Sequence, residues 1–549
     1  MPAWRSRHRG IYSRETARLT PTYEKPMKRI FLLLLAGLLL APAGCKDFLD
    51  VNTNPNGPET VSANLYLPPM LHWLATAPPY DGRYIGRYTQ QFMGPASSIS
   101  LWDRMGYAAG SDAAAEQWRD VYWSFGQNLI DMMTKAQNEE RWDILGVGQI
   151  LKAWGWQVLT DMHGEIIIKE AFDQSRTTFD YDTQEYAYFE VDSLLHEAIA
   201  NLQRNDGAVD ASYLAVGDKI YNGDRGQWLK FAYGLLALNR SHFTNKSTYN
   251  ADTVIMLVDQ SFQSNADDAL FPYPAVTSND DKNFFGTSRD NITGYRQTEF
   301  ILNLMNGTEF GGTVDPRMTR MLAPSPDGQY RGLDVNVANW SGLDSAQRPM
   351  NFFGYQGLPG AGQPSRYIFS DKSRFPIMTY AQLQFVKAEA QYLKGEKGAA
   401  LATYENAIAA HIDFVNDRNS DDGQSPTPIT EAEKDAFLSD PNIVPTDPND
   451  LTLSHIMSQK YIAQWMWGFN ELWMDMRRYH YTDTESGIEV FRGFALPTNL
   501  FVDNNGKPVE RARPRYNSEY VWNQAGLAPI GGLETDYHTK PLWITEPGS

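Results

Sequence analysis

The sequence predicts a mainly α-helical protein in which packed helical hairpins carry long irregular loops. Three observations predict it. Apolar residues recur at helical spacing in eight separate segments. One pair of those segments, on either side of Gly395, places small residues where two helices must approach closely. Two other stretches do not read as helix: about 78–110 is rich in Gly, Pro, Tyr and Ser, and about 271–376 carries Pro, Gly, Asn and aromatic residues throughout.

Composition sets the limits. The 549 residues are enough for one large domain or two, and 42% apolar with 21% charged is ordinary for a globular chain. A net charge of -18 repels phosphate backbones and argues against a nucleic-acid partner. A single cysteine allows neither an intrachain disulfide nor a thiolate zinc cluster.

That cysteine, Cys45, stands behind a short basic region, Met27-Lys28-Arg29, and an apolar run, Ile30–Leu40. Ala41, Ala43 and Gly44 supply the small residues of a cleavage site, so residues 1–44 read as a secretory signal peptide. The run is too short to span a bilayer, which takes roughly 20 residues. Residues 1–26 are Arg-rich and fit no ordinary signal; the expectation is a true start at Met27, with a mitochondrial presequence as the rival reading. Ala43-Gly44-Cys45 resembles a bacterial lipobox, with Pro42 where Leu is usual. Cys45 is therefore expected to be lipidated and to begin the mature chain; an incidental cysteine is the alternative. More than one acyl chain would anchor it stably to a membrane. Residues 45–60 read as a flexible leader and 61–549 as a single domain.

The expected helices follow in order: Ala113–Gln137, Leu145–Met162, Gln184–Leu202, Gln227–Phe243, Ala251–Phe262, Tyr380–Leu393, Ala399–Phe414 and a long His455–Tyr479. "AEAQYLKGEKGAALATYENAI" puts Ala390, Gly395, Ala399, Tyr404 and Ala407 where a tetratricopeptide repeat has its small and aromatic packing residues. "YFEVDSLLHEAIANL" reads as the second helix of another repeat. An ordinary helical hairpin is the plainer alternative. The fold class is thus a tetratricopeptide-repeat-like helical scaffold with long irregular ligand-binding loops.

Several segments together resemble the SusD/RagB family of outer-membrane nutrient-binding lipoproteins. They are "CKDFLDVNTNPN", "ILKAWGWQVLTDMHGEI", "GDKIYNGDRGQWLKFAYGLLALNR", the repeat at Ala388–Ile408, "QKYIAQWMWGFNELWMDMRRYHY" and "RPRYNSEYVWN", with a looser match at "DYHTKPLWITEP". The resemblance implies a helical tetratricopeptide scaffold with a loop-rich ligand face. It also implies a surface lipoprotein that caps a SusC-type TonB-dependent transporter and delivers a glycan, or a peptide, to it. No enzyme activity, cofactor or metal is expected.

Sugars present apolar faces ringed by hydroxyls, so aromatic rings beside planar polar groups are the chemistry to look for. The loops offer Trp102, Asp103, Trp340, Phe353 and Tyr355 as candidate ligand contacts, with Phe352, Arg348 and Gln356 nearby. Trp102 lies roughly where the family places an aromatic binding residue. Asp161, His163 and Gly164 read as a helix end rather than a catalytic pair. Asp475, Arg477 and Arg478 read as a structural ion pair, and Trp465, Trp467, Phe469 and Trp473 as core. "DRNSDDGQS" begins like a calcium loop, but Gly423 comes one place late and Pro428 stands where the closing Glu belongs. HExxH, GxSxG and P-loop motifs are absent. A glycoside hydrolase, which needs two carboxylates across a cleft, and a protein-binding repeat adaptor are the readings from other classes.

Overall fold

The computed structural model describes residues 61–94, 100–337 and 342–548. Ser62–Ser549 form one compact unit, mainly helical. Ten of its helices build the scaffold. They are α1 (Leu67–Tyr88), α2 (Gly126–Asn138), α3 (Trp142–His163), α4 (Gln184–Leu202), α5 (Arg225–Ser241), α6 (Ala251–Gln260), α7 (Tyr380–Leu393), α8 (Lys397–Ser420), α9 (Leu453–Gln464) and α10 (Phe469–Arg478).

Consecutive helices pack as hairpins: α3 on α4, α5 on α6, α7 on α8. Contacts of α4 with α5 and of α6 with α7 join the hairpins into one array. The α7–α8 pair shows why. Thr379 and Gln382 form a reciprocal capping box that starts α7. Gly395, at φ 87°, takes the left-handed conformation that turns the chain back after Leu393. Ala388, Ala390 and Ala407 are then fully enclosed, so the two backbones approach closely, and Tyr404 fills the remaining gap while donating to the Ile443 carbonyl at 2.9 Å. Helix α3 is buried along nearly its whole length, which is why its sequence is apolar on more than one face. Among the described residues no helix is long and apolar enough to cross a membrane.

Two expectations are corrected. The stretch 78–110 does not begin as a loop, because Pro78 and Pro79 lie inside α1. Each proline removes a backbone donor, a cost that normally ends a helix. Burial offsets it: Gly82 and Gly86 bring α1 directly onto the Phe469 ring of α10, so close that a Cβ at 82 would lie 2.4 Å from it. Similarly, His455–Tyr479 is two helices, not one. The chain breaks at Trp465–Gly468, with Met466 at φ 69°. Buried Gln91 compensates, accepting from the Met466 amide at 2.8 Å and, through its carbonyl, from the Trp465 indole at 3.0 Å. The break lets Trp465, Trp467, Phe469 and Trp473 all reach the core.

The long stretch 271–376 holds short regular pieces. Strand β1 (Phe92–Met93) pairs antiparallel with β3 (Arg296–Gln297), and β2 (Ala269–Phe271) with β4 (Phe375–Met378). The first pairing binds the segment that follows α1 to the 271–376 stretch.

Candidate functional site

Where those two segments meet, α1 presents a row of half-buried side chains, Tyr80, Arg83 and Tyr84, one turn apart on its outer face. The Arg83 guanidinium lies over Tyr80 (4.3 Å to the ring centroid), Phe284 (5.1 Å) and Tyr84 (5.6 Å). Tyr80 and Phe284 pack at 5.5 Å. Tyr84 rests on Trp102 at 4.8 Å, and Tyr295 continues the row through Phe92 at 5.1 Å. The Tyr84 phenol is pushed up by burial and stays a neutral hydroxyl at ordinary pH. The result is an arc of aromatic rings threaded by a cation, in which Tyr80, Arg83, Tyr84 and Tyr295 are half-buried and Phe92, Trp102 and Phe284 are buried. Such a surface can stack on the C–H faces of a sugar and bond its hydroxyls.

Residues 56–490 match the model of the SusD-like family, described as starch-binding and associating with the outer membrane. The chain belongs to this family. No curated protein matches the sequence. The SusD-like fold is also seen in solved structures. A SusD/RagB family protein from Bacteroides thetaiotaomicron superposes with a TM-score of 0.68 at 20% identity, covering 89% of this chain and 100% of that one. A chitin-binding protein gives 0.66 at 20%, covering 88% and 100%. A chitin-binding SusD homolog from Flavobacterium johnsoniae gives 0.64 at 19%, covering 88% and 98%.

Within this SusD-like chain the residues expected at the ligand face are divided. Trp102 is 8% exposed: its ring is packed under Tyr84 and Tyr88, and its far side floors a cavity of about 180 Å³ shared with Tyr107, Tyr516 and Arg513. It supports the arc rather than standing free on it. Asp103 is corrected from ligand contact to clasp. It is buried, takes two bonds of 2.6 Å from Arg87, and accepts from the Gly94 and Ser100 amides. Phe353 is likewise corrected: it and Phe352 lie in the core, where Phe352 stacks on Phe369 at 5.3 Å. Large rings in a loop that folds back on the body are drawn inward by their apolar area. Tyr355 is half-buried and donates to the Pro364 carbonyl at 3.0 Å, holding its own loop. Trp340 and Cys45 lie outside the described residues. Tyr80, Arg83 and Tyr84 were hidden by the proline pair, which masked the helix that aligns them.

The remaining polar groups are structural. His163 is buried, with Nδ1 at 2.9 Å from the Ala512 carbonyl; burial pulls its pKa down to about 4. Gly164, at φ 83°, ends α3. Asp161 makes no pair with His163 and instead accepts from Gln157 (2.8 Å) and Tyr188 (2.5 Å). Beside it, His242 Nδ1 is 3.6 Å from Asp161 and Nε2 is 3.1 Å from Glu471. Among the described residues these three form the one His/carboxylate group compact enough to suggest a metal. The carboxylates flank opposite nitrogens of one ring, however, which suits a shared proton on the imidazole. In the calcium-like stretch, Asp421 is committed to the Arg418 side chain (3.0 Å) and the Arg374 amide (3.1 Å) and terminates α8.

Proposed function

We propose that this chain captures an oligosaccharide on the Tyr80–Arg83–Tyr84 arc at the outer-membrane surface and passes it, uncleaved, to a SusC-type TonB-dependent transporter. The arc carries the reading, because an aromatic row threaded by a guanidinium and lying where two long segments meet is sugar-binding chemistry. The family's starch-binding, outer-membrane description and the chitin-binding names of two structural neighbours support it. The tether is proposed to be lipidated Cys45, on the strength of its place behind the signal-like run. Trp340 is proposed as a further contact from its place in the second loop.

Binding without turnover is supported by what the nearby acids do. Burial raises Asp81 to about 7, a suitable value for a general acid, but its oxygens receive the Glu116 (2.9 Å) and Gln117 (2.8 Å) amides and the side chain has no exposed surface. Asp103 is spent on Arg87. A glycan array on the purified mature domain, followed by product analysis after long incubation, tests the reading. Retention of an oligosaccharide with no shorter products is expected. Released fragments would move the protein to the hydrolases, and binding of peptides in place of sugars would move it to the peptide-binding members of the family.

A further inference from the structure

A second cavity, of about 770 Å³, lies between the Trp118–Asn128 segment, the Ile167–Phe179 loop and the Arg515–Glu519 turn, and none of the arc residues lines it. The described residues contain two π-helical turns, Asp120–Phe125 and Tyr516–Tyr520, and both border this cavity. Such widened turns are rare and concentrate at functional sites, because they sacrifice regular helix geometry to redirect a side chain. The first of these turns carries Trp123. Trp118 is buried at 2%, whereas Trp123 is 69% exposed at the cavity mouth. Arg119 sits over one face of the Trp123 ring at 4.5 Å and fixes it.

The facing wall is also specialised. Phe172 adopts φ 67°, a conformation that costs a bulky residue energy, and its ring stacks on Trp156 at 6.3 Å and 29°. The third wall is bolted in place: buried Glu519 accepts from Tyr181 (2.8 Å) and Asn523 (2.9 Å). Between the rings the lining is planar and polar, from Gln127, Asn128 and Gln174. All three arginines that line the cavity are already paired, Arg119 with Glu116, Arg176 with Glu170 at 2.8 Å and Arg515 with Asp112 at 2.7 Å, so none stands free to receive an anionic ligand.

We propose that this cavity is a second saccharide site, taking a neutral glycan segment against the open face of Trp123. It rests on the glycan reading for its ligand class, but it requires two sites per chain where the arc alone requires one. The test is calorimetric titration of the mature domain with maltohexaose and chitohexaose, read together with acrylamide quenching of tryptophan fluorescence. Wild type is expected to bind at two sites and to be protected from quenching. Trp123→Ala should lose the protection and bind at one of the two sites about tenfold more weakly or not at all, as loss of a stacked ring implies. Its melting temperature should hold, since an exposed ring adds little to stability. Tyr84→Ala should retain the Trp123 site.

Unchanged stoichiometry and protection in Trp123→Ala would overturn the second site. A single wild-type site abolished by Tyr84→Ala would overturn it while leaving the arc intact. Absence of binding by either hexasaccharide would defeat both. Protection by a tryptic peptide pool but by neither sugar would overturn the saccharide assignment.

Discussion

Glu389→Gln is expected to lower unfolding stability by about 3–5 kcal/mol, the usual cost of leaving a buried charge uncompensated. Glu389 belongs to a closed set of two acids and two bases. Arg478 donates to it at 2.9 and 3.2 Å and to Asp475 at 2.6 Å; Lys460 lies 2.9 Å from Asp475 and 3.7 Å from Glu389. All four side chains are at most 2% exposed. Burial alone would raise the Glu389 carboxyl, but Arg478 and Lys460 outweigh it and hold the pKa below the ordinary value. The four groups come from α7, α9 and α10, so the set ties the repeat-like hairpin to the Trp-rich helices. Removing one acid leaves two cations facing one anion with no water to screen them. Urea unfolding measures the loss. A companion Lys460→Met, which restores charge balance, should recover part of it, and the double-mutant cycle gives the coupling directly. By contrast, Lys394→Ala, which breaks exposed pairs with Asp252 and Glu396 at 2.6 Å, should cost no more than about 1 kcal/mol. Equal effects at the two places would refute the structural role of the buried set.

The second large effect is a pH dependence centred on His242. Burial draws its imidazolium pKa down, and the carboxylates of Glu471 and Asp161 more than reverse this, raising it from 6.5 to about 9. Tyr188 and Gln157 complete its surroundings as neutral partners, at 2.9 and 3.4 Å from Nδ1. A raised histidine pKa means that the folded state binds the proton more tightly than the unfolded chain. The stabilisation is therefore complete below about pH 6.5 and is lost as pH rises through 9. Its size is on the order of 3 kcal/mol at full protonation. Other groups fall in the same direction: burial raises Asp268 and Glu510 to about 8, and each costs stability as it ionises. The readout is thus the difference between wild type and His242→Gln, measured by denaturant unfolding from pH 6 to 9.5. That difference should be largest at pH 6 and shrink toward pH 9.5; a constant difference would refute the shared-proton arrangement.

Helices with ordinary caps and a clean period were legible in the sequence. Gln184–Leu202 and Tyr380–Leu393 begin immediately after Thr183 and Thr379, whose hydroxyls accept from the third helical residue, and their apolar positions recur without interruption. Helix α1 was hidden because local proline chemistry argues against it, and its support comes from tertiary packing, including contact with Phe469, hundreds of residues away in sequence. The break at Met466 was hidden for the same reason, since its compensation comes from Gln91. The candidate site suffered most. Trp102, Asp103 and Phe353 have the right residue types in the right loops, yet burial is a property of the tertiary structure and cannot be read from a turn-rich stretch. Trp123 carried a usable signal: it falls out of phase with Trp118, Tyr122, Phe125 and Leu129, the apolar stripe of its own segment.

The central claim is that the α1 arc binds sugar. It is tested most directly by titrating the mature domain, wild type and Tyr84→Ala, with a disaccharide and a hexasaccharide of the sugar that the array selects. The account predicts weak binding of the disaccharide and tighter binding of the hexasaccharide as more rings engage. It further predicts at least about a fivefold loss for the longer sugar in Tyr84→Ala, with little change in melting temperature, because that ring is only half-buried. Wild-type affinity for the hexasaccharide in Tyr84→Ala, with no dependence on chain length in either protein, would contradict it.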